Sequence, residues 1–217
     1  MIMNTIVCGS KKYHNTTMDS IVDKFDIIVR NNMLLPNMTY GKRDPSIQVC
    51  NCHVYDNMIT KKKSIEELHK LYEEKTSLEH IKKFYEFCQK TKAKFVHYPS
   101  NNSSSMRHII SKYNLENFVG GSLLKCGMSH VAECISNDIK PFVIGFSLQE
   151  EHLKQHACNR HKKLYDGHNH GGEIKLLISL HQKKLIDASF CLIEDKKELS
   201  FSNHFEPTDE ALEILKC

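Results

Sequence analysis

The stretch Phe25-Asp26-Ile27-Ile28-Val29-Arg30-Asn31-Asn32 reads as a short β-strand, Ile27–Val29, that runs into an arginine and two asparagines. Similar short runs rich in β-branched residues recur along the chain at Thr5–Cys8, Ile47–Cys50, Phe95–Tyr98, Phe142–Ile144 and Ala188–Leu192. Between them lie stretches with helical spacing. Ser64-Ile65-Glu66-Glu67 has the form of a capping box ahead of Leu68, Leu71 and Tyr72. From Ser77, the residues Leu78, Ile81, Phe84, Tyr85 and Cys88 fall on one helical stripe. Further helices are expected over Met128–Ile135, Glu173–His181 and, at the end of the chain, Asp209–Cys217. Strands alternating with helices predict an α/β domain with a mainly parallel sheet. In such sheets ligands bind outside the carboxyl ends of the strands, the edge where Arg30, Asn31 and Asn32 would sit. Asn51, after the next strand, would share that edge.

At 217 residues the chain is long enough for one sizeable domain, and 40% apolar residues suit a packed core. Lysine and arginine exceed aspartate and glutamate by 30 − 26 = 4, too little to argue for nucleic acid. The opening MIMNTIVCGS has neither a basic region nor a long apolar core, and no stretch is apolar enough to span a bilayer. Nine cysteines without a CxxC pair read as reduced thiols. Together these predict a cytoplasmic protein. Tyr98–Met106 (YPSNNSSSM) is expected to be a polar loop, and 147–167 a flexible polar insertion acting as a lid within the single domain 1–217.

Four segments carry residues suited to chemistry. Val7-Cys8-Gly9-Ser10 takes a strand into a Gly-Ser turn whose N–H groups can face a phosphate; the same turn serves equally as a plain tight turn. Arg30, Asn32 and Asn51 offer hydrogen bonds to a sugar or a base, and asparagines are also ordinary turn residues. Gly120-Gly121-Ser122 and Cys126-Gly127 precede a helix, which leads to Phe142–Ile144 and Gly145-Phe146, the layout of a crossover able to cradle a nucleotide. Tyr165-Asp166-Gly167-His168-Asn169-His170-Gly171-Gly172-Glu173 sets a histidine in a glycine-rich loop. Its unperturbed pKa of about 6.5 suits general-base work, and Glu173 opens a helix where the dipole favours a carboxylate.

In this order the four segments resemble the sialyltransferases. Asp26-x3-Arg30-x-Asn32 is similar to the large sialylmotif, Cys126-Gly127 followed by Gly145-Phe146 to the small one, and His168-x4-Glu173 to the very small one. Tyr165-x-Gly167-His168 is nearest to the short bacterial enzymes that sialylate cell-surface oligosaccharides. The resemblance spans roughly residues 4 to 193 and implies a Rossmann-like domain, a variant of the GT-A fold. It also implies transfer of a sialic-acid-like sugar from a CMP conjugate to an oligosaccharide or glycolipid hydroxyl. His168 would be the catalytic base, with Tyr165 and Arg160 at the leaving phosphate. Gly9, Ser10, Arg30, Asn32, Asn51, Cys126, Gly127, Gly145 and Glu173 would line the nucleotide site. No cofactor or metal is implied, and no Asp-x-Asp occurs in the chain. Nucleic acid is not an expected partner, whereas association with the inner face of the membrane and with further copies of the chain is.

The chain departs from the pattern at Cys126, where the family has serine or threonine, at Leu123-Leu124-Lys125, where an arginine is usual, and in the lid, which lacks two matching tyrosines. These departures motivate a second reading, an inactive nucleotide-binding relative. A third comes from His152, His156, Cys158, His161, His168 and His170, which are close enough in sequence for a zinc-binding module, although Lys154, Lys162 and Lys163 oppose a cation there.

Overall fold

A computed structural model describes residues 4–11, 20–36, 40–73, 76–98, 104–115, 126–146, 170–195 and 206–216. Five strands, β1 (Thr5–Cys8), β2 (Ile27–Asn31), β3 (Ile47–Cys50), β4 (Lys94–His97) and β5 (Phe142–Ile144), form one sheet. Its order is β4-β3-β2-β1-β5, and every pair is parallel. The chain therefore steps outward from β1 to β4, then crosses back to add β5 on the other side of β1. This reversal is the switch point at which open α/β sheets present their ligand edge.

Helices cover both faces, so β1 and β5 are buried throughout and are apolar except for Thr5. They are α1 (Ile65–Tyr72), α2 (Leu78–Lys90), α3 (Ser104–Lys112), α4 (Cys126–Ser136), α5 (His170–Gln182), α6 (Ser189–Asp195) and α7 (Asp209–Lys216). Alternation sorts the strand side chains. Val7, Val29, Val49 and Val143 pack with Met128, Val131, Ala132 and Leu177 on one face, while Ile6, Ile28, Phe142 and Ile144 pack with Phe25, Tyr40 and Phe190 on the other. A third cluster lies under α1 and α2, around Leu68, Ile81 and Phe84.

The capping box is present: the Glu67 N–H donates to Ser64 Oγ at 3.3 Å, and the Ser64 N–H to Glu67 Oε2 at 2.9 Å. Ser77 caps α2 in the simpler way, accepting the His80 N–H. Two expectations fail. Ala188–Leu192 is not a strand: Asp187 makes one parallel bridge to Phe142, and the chain then turns into α6. The Asp187 carboxylate accepts the Ser189 N–H at 2.9 Å and the Ser189 hydroxyl, which caps the helix and ends the extended run. The segment is apolar because α6 is buried, and burial removes the periodicity that separates helix from strand. The Tyr98–Met106 stretch, expected as loop, contains the start of α3 at Ser104.

Asp187 also anchors the end of the chain. Its second oxygen accepts the Thr208 hydroxyl, and Lys140 lies 3.9 Å from it and 3.6 Å from Glu210. His181 joins this group: its Nδ1 accepts the Ala188 N–H at 3.0 Å, so Nε2 carries the proton, facing the Glu206 carbonyl at 3.2 Å. Burial lowers its pKa, which matches this neutral form. Among the described residues, no helix is long and apolar enough to cross a membrane.

Candidate functional site

The carboxyl ends of β1, β2, β3 and β5 bring together six of the residues singled out from sequence, Gly9, Asn32, Asn51, Cys126, Gly127 and Gly145. Asn32 is the hub. It follows β2 in the left-handed region at φ 53°, which asparagine tolerates better than most residues. Its Oδ1 accepts the Asn51 N–H at 3.0 Å and faces Cys126 Sγ at 3.4 Å. Its backbone N–H donates to the Val49 carbonyl at 2.6 Å, and its own carbonyl accepts Gln48 Nε2 at 2.6 Å. Residues from three separated segments thus meet at one point. Asn51 uses its Oδ1 to cap the helical segment that follows β3, accepting the Val54 N–H at 2.9 Å. Its Nδ2 amide makes no hydrogen bond among the described residues.

Helix α4 begins at Cys126 and lies across β1, β2 and β3, so its first N–H groups and the positive end of its dipole are at this edge. Close approach depends on Gly127: a Cβ there would lie 2.5 Å from Asn31 Nδ2 and 3.1 Å from the Phe146 ring. Asn31, the last residue of β2, is expected at this edge from sequence but without a role of its own. Its Nδ2 donates to the Cys8 carbonyl at 2.8 Å, and its buried Oδ1 has no hydrogen-bond partner among the described residues. The doublet Asn31-Asn32 was the available signal.

Gly9 and Gly145 face each other across the switch point. A Cβ on Gly9 would lie 2.3 Å from the Gly145 carbonyl oxygen, and Gly145, at φ 74°, passes 2.9 Å from the Gly9 carbonyl by the same test. Gly9 N–H donates to the Ile144 carbonyl at 2.7 Å and Lys11 N–H to the Gly145 carbonyl at 2.9 Å. The Gly9 N–H is thus committed to the backbone, so it is not the phosphate donor expected of it. Ser10, half-exposed beside it, remains at the edge.

Arg30 is corrected more sharply. It pairs with Cys8 in register, its side chain lies on the opposite face of the sheet from Asn31, and it is fully buried. The guanidinium donates to the carbonyls of Gly41 (3.4 Å) and Arg43 (3.3 Å), pinning a loop that Asp23 holds from the other side through the Lys42 and Arg43 N–H groups. The strand runs through Arg30 to Asn31, and within a strand a side chain points to the face its parity dictates, not to the edge. Burial raises the neighbouring Cys8 thiol to about 11.

Glu173 lies buried in the first turn of α5. His168, Tyr165, Arg160, the 147–167 lid and the remaining candidate zinc ligands other than His170 lie outside the described residues. Among the described residues, no group of three metal-ligating side chains occurs.

A further polar pair on this edge had no signal in the sequence. The Tyr98 hydroxyl, just past β4, is 2.7 Å from His130 Nδ1 on α4. Burial lowers the His130 pKa to about 4, against the opposing effect of Glu133, and raises that of Tyr98, so both are neutral at pH 7. No family model matches the chain, and no curated protein matches it in sequence.

Proposed function

We propose that the chain is a glycosyltransferase of the sialyltransferase type, moving a sialic-acid-like sugar from a CMP conjugate to a hydroxyl of a cell-surface glycan. The observation that carries this reading is the meeting of Asn32, Asn51 and Cys126 within hydrogen-bond reach, at the ligand edge of a parallel sheet and the N-terminus of α4. Asn32 and Cys126 lie in segments that resemble the large and small sialylmotifs, and Asn51 follows the next strand on the same edge.

In the proposed reaction the acceptor oxygen attacks the anomeric carbon as the bond from that carbon to the CMP phosphate oxygen breaks, and the phosphate leaves with the electron pair. His168 takes the acceptor proton, and the configuration inverts. Asn32, Asn51 and the first N–H groups of α4 hold the nucleotide, while Arg160 and Tyr165 from the lid stabilise the departing phosphate. Positioning supplies much of the rate, and general-base help is worth about 10²–10⁴-fold. The domain would be a GT-A variant acting without metal in the cytoplasm, at the inner face of the membrane where such acceptors are assembled.

The test is release of CMP from CMP-sialic acid by purified protein, with a His168→Ala control and with EDTA. EDTA-resistant release that is lost in the variant supports the reading. Absence of both release and CMP binding overturns it. Cys126 favours one alternative, a nucleotide-binding relative without turnover, because a thiol is a poor donor where the family has a hydroxyl. Saturable CMP binding without release identifies that case.

A further inference from the structure

The ligand edge extends one strand beyond the residues the resemblance points to. Cys50 and His97 are the last pair in the register of β3 and β4, and Asn51 and Tyr98 are the residues that follow them in the chain. Both have the parity of Val49 and Val96, and Tyr98 packs against the core cluster that contains Val49. Cys126 and His130 are four residues apart on α4, hence on one side of that helix. The result is an open ring of contacts: Asn51 to Asn32, Asn32 to Cys126, Cys126 along α4 to His130, and His130 to Tyr98. Tyr98 is half-buried.

The two ends of this ring differ in character. The α4 N-terminus suits an anion. The Tyr98–His130 end holds two neutral groups under the negative charge of Glu133, which opposes an ionised phosphate there. The proton between Oη and Nδ1 can lie on either atom. When it lies on Nδ1, the phenol O–H is free to donate outward. When it lies on Oη, the oxygen accepts.

We infer that Tyr98, oriented by His130, contacts the base of the nucleotide while the start of α4 faces its phosphate. This assignment rests on the CMP-donor reading and names a specificity residue for it.

NMR titration of wild type, Tyr98→Phe and His130→Gln with CMP and with ribose 5-phosphate tests it. Tyr98→Phe should weaken CMP binding about tenfold and leave ribose 5-phosphate within about twofold, because only CMP carries the base. His130→Gln, which keeps Tyr98 but replaces its partner, should weaken CMP about threefold. It carries the test if Tyr98→Phe does not fold. CMP affinity within twofold of wild type in a folded variant overturns the assignment and leaves the functional reading standing. Equal losses for both ligands also overturn it, as the signature of a merely structural pair. Wild type that binds neither CMP nor CMP-sialic acid overturns the functional reading, and this assignment with it.

Discussion

The Oδ1 of Asn32 accepts the backbone N–H of Asn51 at 3.0 Å, so a side chain at the end of β2 fixes the point where the chain leaves β3. Asn51 in turn caps the helical segment that begins at Cys52 and continues as a π-helix over Tyr55–Thr60. One asparagine therefore orients the other, and both are on the edge where a nucleotide would lie. Asn32→Gly keeps the left-handed backbone available while removing the side chain. It should cost about 1–3 kcal/mol, because the Asn51 N–H loses its acceptor. CMP affinity should fall with it, measured by urea unfolding and CMP titration on the same preparation. Stability lost with affinity intact would show that Asn32 is structural only.

Arg30 should behave in the opposite way. Arg30→Met removes the donor that holds the Gly41 and Arg43 carbonyls, and destabilisation of about 2 kcal/mol is expected from hydrogen bonds to a charged group. The folded fraction should bind CMP as wild type does. A selective loss of CMP binding with unchanged stability would return Arg30 to the ligand site.

Gly9→Ala should be among the most damaging single substitutions in the domain. Its Cβ would meet a backbone carbonyl at 2.3 Å, which no rotamer change relieves. Overpacking of this kind costs about 1–3 kcal/mol or more. The denaturation midpoint of the variant checks it.

Stability should fall between neutral pH and about pH 4. His130 is held neutral when folded, with a pKa lowered from 6.5 to about 4, so the unfolded chain binds the extra proton in that window. The stabilisation is complete above pH 6.5 and is lost as pH falls through the folded value, a total on the order of 3 kcal/mol at about 1.4 kcal/mol per unit. His181, shifted in the same direction, adds to it. Urea midpoints at several pH values should show the slope in wild type and a smaller slope in His130→Gln.

Asp187→Asn should loosen the end of the chain before the rest. The buried carboxylate accepts from Ser189 and Thr208, and Lys140 is beside it. Hydrogen exchange in 206–216 should accelerate in the variant while β1 and β2 stay protected.

The strands were legible because a sheet covered on both faces needs mainly apolar runs: Phe142–Ile144 is wholly apolar, Thr5–Cys8 is apolar after Thr5, and Ile47–Cys50 is broken only by Gln48. Capping made Ser64 and Ser77 equally plain. Ala188–Leu192 misled because the same apolar density serves a buried helix, and only the Asp187–Ser189 cap distinguishes the two. At the site, Asn32, Asn51 and Cys126 could be chosen from their places after strands and before a helix. Arg30 could not be placed without its parity, nor Gly9 without its neighbour Gly145. The Tyr98–His130 contact joins residues far apart in sequence through the packing of α4 on the sheet, and no local pattern announces it.

The sheet order also has a consequence for biosynthesis. Of the five strands β1 is translated first, yet it lies inside the finished sheet, with Ile6 beside Phe142. Until β5 is translated, the growing chain must carry the β5-facing side of β1 as a bare hydrogen-bonding edge, the kind of edge that recruits other strands. Nascent chains stalled before Phe142 should therefore depend on chaperones, and those extended past Ile144 should not.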